Sequence, residues 1–281
     1  MVDRLQALLT HFSVSARTFQ QGPLCGVNTL NGDAPSGQLH LIRDGTVKVW
    51  HGQTLAFAVN EPSLLFYPRP MAHRFVTDPK RGADFMCAHI TFEGGTAAPL
   101  ANALPPAVCF PLAELPDSLP ALELMFAEAG ALNCGRQAVL DRLFEVVLIQ
   151  LLRHMMENGS ARIGLLAGLS HPQLKRAIVA MHEAPERNCR VEDLAAVAGM
   201  SRSVFSNLFH DTVGEPPASY LQRWRLGLVQ KWLKQGLPLR LIAEEAGYGS
   251  ESSLSRAFKS QCGLSPRDWL KSENAAADIT D

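Results

Sequence analysis

The chain states one short pattern twice, and that repetition constrains its fold more than any other feature. LAAVAGMSRSVFSNLF, followed after four residues by Gly214, occupies 194–214; IAEEAGYGSESSLSRAF, followed after four residues by Gly263, occupies 242–263. In the first copy Leu194, Ala195 and Val197 form the apolar side of a short helix and Gly199 permits a left-handed turn. Ser201 then caps a second helix, which Phe205, Leu208 and Phe209 pack back on the first. In the second copy Ile242, Ala243 and Ala246 take the first role, Gly247 the turn, Ser250 the cap, and Leu254, Ala257 and Phe258 the packing. Gly214 and Gly263 stop the second helices. Each copy predicts a helix-turn-helix, and successive helices are expected over about 172–184, 191–198, 202–212, 217–235, 239–246 and 251–261.

Removing the packing residues leaves one side of each second helix free: Arg202, Ser203, Ser206, Asn207 and His210 in the first, Glu251, Ser252, Ser255, Arg256 and Lys259 in the second. Short polar and cationic groups along one helical side are what a helix in a DNA major groove uses on base edges and phosphates. A bundle with solvated faces explains a single segment of this kind equally well, and explains two in tandem poorly. The helix expected between the copies starts at Pro216-Pro217 and has about 18 residues, hence a length of about 27 Å. With its flanking turns it sets the two second helices roughly 34 Å apart, one turn of duplex. Arg223, Arg225, Lys231 and Lys234 on that helix are available for the phosphate backbone, or form an ordinary solvated face. Charge is divided accordingly: 171–272 carries 14 Lys+Arg against 10 Asp+Glu, whereas 1–170 carries 12 against 14 and the tail 273–281 none against 3.

From about residue 20 to 112 the period is different. GQLHLIR, TVKVW, TLAFAV, SLLFYP, HRFV and ADFMCAHITFEGG are short apolar runs rich in β-branched and aromatic residues, divided by Gly, Pro, Asn and Asp. They predict an antiparallel sandwich or small barrel, with Asp44-Gly45 as the strongest hairpin signal. Residues 116–157 return to helical spacing in two stretches, the second of which is apolar on more than one side (Val146, Val147, Leu148, Ile149, Leu151, Leu152). Packing against the β region and self-association to a homodimer both account for that excess. Residues 158–170 read as a linker. The chain is thus expected to be α+β in two domains: 1–157, then the linker, an all-α domain at 171–272 and an acidic tail at 273–281.

No window holds the roughly 18 consecutive apolar residues that a membrane span requires, and the start MVDRLQALLTHF lacks a small-residue cleavage site, so a cytoplasmic protein is expected. The 6 cysteines show no CxxC pair and are expected to be reduced thiols.

The stretches HPQLKRAI (171–178), VEDLAAVAGMSRSVFSNLF (191–209), Gly214-x-x-Pro217-x-x-Tyr220-Leu221, RWRL (223–226), IAEEAGYGSESSLSRAFK (242–259) and GLSPRDWL (263–270) together resemble the C-terminal DNA-binding domain of AraC/XylS-type transcription regulators. That resemblance implies a seven-helix tandem reader whose base-reading positions are Ser203, Ser206, Asn207, Glu251, Ser252, Ser255 and Arg256. It also implies double-stranded DNA and RNA polymerase as partners, activation as the usual effect, and no enzymatic activity. The β region with its trailing helices, carrying Pro68-Arg-Pro-Met-Ala-His73, resembles the cupin-like sensing domains that precede such readers. Metal-dependent cupins supply an HxH, but His40 is followed by Leu41-Ile42-Arg43, so neither a metal nor another cofactor is expected. A metal-dependent cupin enzyme with a helical appendage is the alternative reading. Strand alternation places Phe85, Cys87 and His89 on one face, with His73 ending a nearby strand; His40, His73, Cys87 and His89, with Cys25, are candidates to line an effector pocket. Some similar regulators carry cysteines at the positions of Cys25 and Cys87, which adds reversible oxidation of a low-pKa thiolate as a second candidate signal. Either signal would bias two arrangements of the domains or of a dimer.

Overall fold

The computed structural model describes residues 3–94, 98–159 and 163–277. The described elements run α1 (Gln6–His11), β1 (Val14–Leu24), β2 (Val27–Leu30), β3 (Gly37–Asp44), β4 (Val47–His51), β5 (Thr54–Val59), β6 (Ser63–Tyr67), β7 (His73–Val76), β8 (Ala83–Phe92), α2 (Pro99–Ala103), β9 (Val108–Pro111), α3 (Leu119–Gly130), α4 (Arg136–Glu157), α5 (Leu165–Ser170), α6 (Leu174–Glu183), α7 (Val191–Ala198), α8 (Arg202–Val213), α9 (Pro217–Lys234), α10 (Leu239–Glu245), α11 (Glu251–Cys262) and α12 (Pro266–Ala277). They form two compact units, residues 12–161 and residues 1–11 with 162–281.

In the first unit the alternating runs build two antiparallel sheets, ordered β1-β8-β3-β6-β9 and β2-β7-β4-β5. Their inner faces share one core: Ile42, Leu65, Tyr67, Phe85 and Cys87 from the first sheet meet Val47, Val49, Val59 and Phe75 from the second. The Asp44-Gly45 turn is not a hairpin, because β3 pairs with β6 and β8 while β4 pairs with β5 and β7, so the turn carries the chain from one sheet to the other. The hairpin lies one turn later, where His51 faces Thr54 across Gly52. His73 opens β7 rather than ending a strand. A register shift between Thr18 and Gln20 makes Phe19 the extra residue of a bulge in β1.

Helix α4 accounts for most of its apolar excess by burying Leu140, Phe144, Val147, Leu148, Leu151, Leu152 and Met155. It also closes the sheet edge, since β1 is an outer strand whose backbone groups lack a strand partner on one side. Asp141 Oδ1 accepts from Thr18 N at 2.7 Å and Thr18 Oγ1 at 2.9 Å, Glu145 Oε1 accepts from Ala16 N at 3.2 Å, and Gln137 Nε2 donates to Thr18 O at 3.2 Å. Val139 and Val146 stay exposed on the opposite side.

The second unit holds both repeats. The seven helices expected of the reader are α6 to α12, and α5 precedes them. Half of the expected linker is α5, with Leu165, Leu166 and Leu169 buried, and Pro266 opens α12. Gly168 lets α5 approach, since a Cβ there would stand 2.5 Å from Ile178 and 2.9 Å from Val213. A finding with no sequence signal is that α1 belongs here. Asp3 Oδ1 caps it by accepting from Leu5 N and Gln6 N at 3.0 Å, Leu8 is fully buried, and Lys231 Nζ donates to His11 O at 2.6 Å. Residues 1–11, which the expected first domain 1–157 includes, cluster with the helical unit.

Candidate nucleic-acid interface and barrel pocket

Helix α8 is held by buried Phe205 and Phe209, which leaves Arg202, Ser203, Asn207 and His210 exposed and Ser206 half-buried. Helix α11 is held by buried Leu254 and Phe258, which leaves Glu251, Ser252, Arg256 and Lys259 exposed and Ser255 half-buried. Gly199 and Gly247 take φ of +71° and +73° at the two turns. Ser250 caps α11 by accepting from Ser253 N at 3.2 Å, whereas Ser201 makes no such bond and its Oγ instead lies 3.4 Å from Ser203 Oγ. Val197 is exposed, and Ala198 is buried in its stead. Arg202 Nε pairs with Glu192 at 3.1 Å, and Arg256 Nε donates to Ser252 O of its own helix at 3.3 Å. Polarity alone overlooked Val204, whose 55% exposure sets an apolar group among the polar ones of α8, the kind of group that meets a thymine methyl.

The four cations of α9 are engaged inside their own unit rather than free for phosphate. Arg223 pairs with Glu215, Arg225 donates to Pro185 O and Arg187 O at 2.7 Å, Lys231 caps the end of α1, and Lys234 pairs with Glu273 at 2.6 Å. They tie α9 to the turn before it, to the segment between α6 and α7, to α1 and to α12. At the centre of this unit His182 is fully buried, stacked on Trp224 at 3.7 Å and hydrogen-bonded to Tyr220 Oη at 2.6 Å. Burial, with His11 beside it, pulls its pKa down to about 3.

In the β unit a pocket of about 310 Å³ opens between the sheets. Its wall is Phe19, Leu24, Val27, Leu30, Phe75 and Cys87, with Gln20, Asn28 and Thr29 as polar members. Of the five expected residues only Cys87 lines it. His40 and His73 are buried and bonded to each other, Nε2 to Nε2 at 3.2 Å, with His73 Nδ1 donating to Met71 O at 2.8 Å. Burial lowers the pKa of both, His73 to about 4, and their mutual proximity adds to the effect on His40. His89 is stacked on Phe19 at 4.3 Å and bonds Ser36 through Nδ1 at 3.0 Å. Cys25 is exposed. The low-pKa thiolate expected of Cys87 is reversed, because burial pushes that thiol up and holds it protonated. The rest of the lining was missed: β2 and the Phe19 bulge show no motif, and only the closing of two sheets brings them together. Among the described residues no group of three or more His, Cys, Asp or Glu is placed to hold a metal ion.

Comparison with known proteins agrees with this architecture. A family profile described as "Cupin" matches residues 3–157, and one described as "Helix-turn-helix domain" matches 194–272. The chain is similar to a putative AraC-like transcription regulator of Streptomyces antibioticus, 42% identical over 135 residues that make 47% of this chain and 45% of that one. It is similar to another from Streptomyces lividans, 37% identical over 187 residues, 64% of this chain and 61% of that one. With the transcriptional activator RclR of Escherichia coli strain K12 it shares 26% identity over 237 residues, 82% of each chain. The chain thus spans about half to three-fifths of the length of the first two relatives. With a cupin profile over more than half of its residues and the helix-turn-helix profile behind it, the chain belongs to the AraC-type transcription regulators that carry an N-terminal cupin domain.

Proposed function

We propose that the protein is a cytoplasmic, sequence-specific DNA-binding regulator that activates transcription in response to a signal received in its cupin domain, and that it is not an enzyme. The observation that carries this reading is the pair of helices α8 and α11, each pinned by two buried apolar residues and each presenting an exposed polar and cationic side. Placed in neighbouring major grooves, the two sides read one face of the duplex. Activation, with RNA polymerase as partner, is supported by the similarity to an activator over 82% of each chain. The apolar pocket makes a small molecule the favoured signal; an oxidant would act at exposed Cys25 rather than at Cys87.

The test is a salt titration of the full chain on a duplex from its own upstream region against random DNA. Salt-sensitive binding with a preference for one site is expected. Arg256→Ala is expected to weaken specific binding by about 10- to 100-fold, with far less effect on random DNA. Lys259→Ala is expected to weaken both equally and to reduce the salt slope by about one. Equal losses from both variants on both duplexes would contradict the assignment.

Homodimerisation through α3 and α4 completes the proposal. Leu119, Leu124, Val139 and Val146 remain exposed on these helices, and covering them is the expected role of a second copy. Light scattering at micromolar concentration is expected to give twice the chain mass, and Val146→Glu to give the single mass. A wild-type monomer would refute the dimer.

A further inference from the structure

The pocket in the β unit can be read for the chemistry of its occupant. Its lining contains no Lys, Arg, Asp or Glu, so a carboxylate or phosphate would enter with its charge unpaired. Behind the wall stands His40, fully buried, edge-on to two lining rings, Phe75 at 5.0 Å and Phe19 at 6.4 Å, and directly across the ladder from Cys87. The protons of the histidine pair can be assigned. A carbonyl only accepts, so His73 Nδ1 carries the hydrogen given to Met71 O, and His73 Nε2 is a lone pair. His40 Nε2 must donate to it, which leaves His40 Nδ1 as an acceptor, and that atom has no partner among the described residues. Gln38 Oε1, two residues earlier on the same face of β3, is a second buried acceptor without a partner.

A buried lone pair left unmatched is unfavourable, and a purely aliphatic occupant would leave both as they are. A sugar would bring several hydroxyl groups to a wall that is mostly apolar. His40 is fully buried behind the lining, and the Phe19 ring is the part of the wall that must swing aside to reach it. As the extra residue of the bulge its backbone is released from the ladder, and its ring, 41% exposed, both lines the pocket and faces His40. A 150 Å³ cavity holds benzene, so a pocket of about 310 Å³ holds about a dozen non-hydrogen atoms.

We propose that the pocket binds a neutral, largely apolar molecule carrying one N–H or O–H donor, of the phenol or indole class, and that His40 Nδ1 accepts that donor. This rests on the reading of the cupin domain as the effector site and gives that site its ligand class.

Isothermal titration of the full chain with para-ethylphenol, para-ethylanisole, para-ethylbenzoate and ribose tests it. The phenol is expected to bind, its methyl ether roughly tenfold more weakly for want of the donor, and the anion and the sugar not at all at the same concentration. His40→Phe is expected to remove the difference between phenol and ether. Should that variant fail to fold, the same pair on the wild-type chain decides alone. Equal binding of phenol and ether, or no binding of any probe at millimolar concentration, overturns the proposal. Binding of the benzoate or of ribose that Leu30→Trp abolishes overturns the ligand class and leaves the cupin domain as effector site. Phenol binding that Leu30→Trp leaves unchanged lies elsewhere and overturns both.

Discussion

Acidification from pH 6.5 to 5 is expected to destabilise both compact units, in a range above that in which carboxylates take up protons. Each unit keeps a buried histidine neutral: His73 at about 4 in one, His182 at about 3 in the other. In the unfolded chain both return to about 6.5. Below that pH the unfolded state binds protons that the folded state refuses, so the contribution is complete above about 6.5 and is lost as pH falls toward the folded values. The slope approaches about 1.4 kcal/mol per pH unit for each group. Thermal unfolding at pH 7, 6 and 5 reads it, with Tm falling at each step. His182→Gln removes one titration and retains a hydrogen-bonding group for Tyr220, and is expected to flatten the dependence of the helical unit alone. A Tm independent of pH over this range would contradict the burial of both rings.

The second large effect is expected at a turn. Gly199 and Gly247 are equivalent in the two repeats and share nearly the same positive φ, so an alanine at either costs about 1–2 kcal/mol of backbone conformation. Their surroundings differ. Nothing lies within 4 Å of a Cβ on Gly199, whereas one on Gly247 would stand 2.6 Å from Glu186 O. That carbonyl has nowhere to retreat, because Arg225 holds Pro185 O and Arg187 O on either side of it. Overpacking therefore adds to the conformational cost, and Gly247→Ala is expected to lose about 3 kcal/mol or more against half of that for Gly199→Ala. Urea unfolding of the two variants makes the comparison. Equal midpoints would mean that the Glu186 segment yields freely.

These two turns also show what a sequence discloses. The repeats were legible because each helix-turn-helix is local: an apolar stripe, a glycine and a cap within about twenty residues specify it. Antiparallel strands were legible as runs, but their partners were not. Asp44-Gly45 has the composition of a hairpin and serves as a passage between sheets, a choice made by which distant strands β3 and β4 pair with. Charge misled on α9, where the four basic residues satisfy carbonyls and carboxylates of their own unit. The pocket was least legible. Histidines and cysteines attract attention as reactive groups, yet the wall is made of Phe19, Leu30 and Phe75, residues that in sequence resemble any other core.

Because α1 completes the helical unit, the order in which the chain leaves the ribosome matters. The segment 12–161 is a compact unit of consecutive residues and can fold once residue 161 has emerged. Leu5 and Leu8 are made before the β unit, yet their place lies in the helical unit made after it; His11 meets the ammonium of Lys231 only 220 residues on. Throughout that interval α1 is a helix of six residues still without the rest of its unit, too short to be stable alone. A nascent protein stalled before residue 231 then has a folded cupin domain while α1 still lacks its contact with α9.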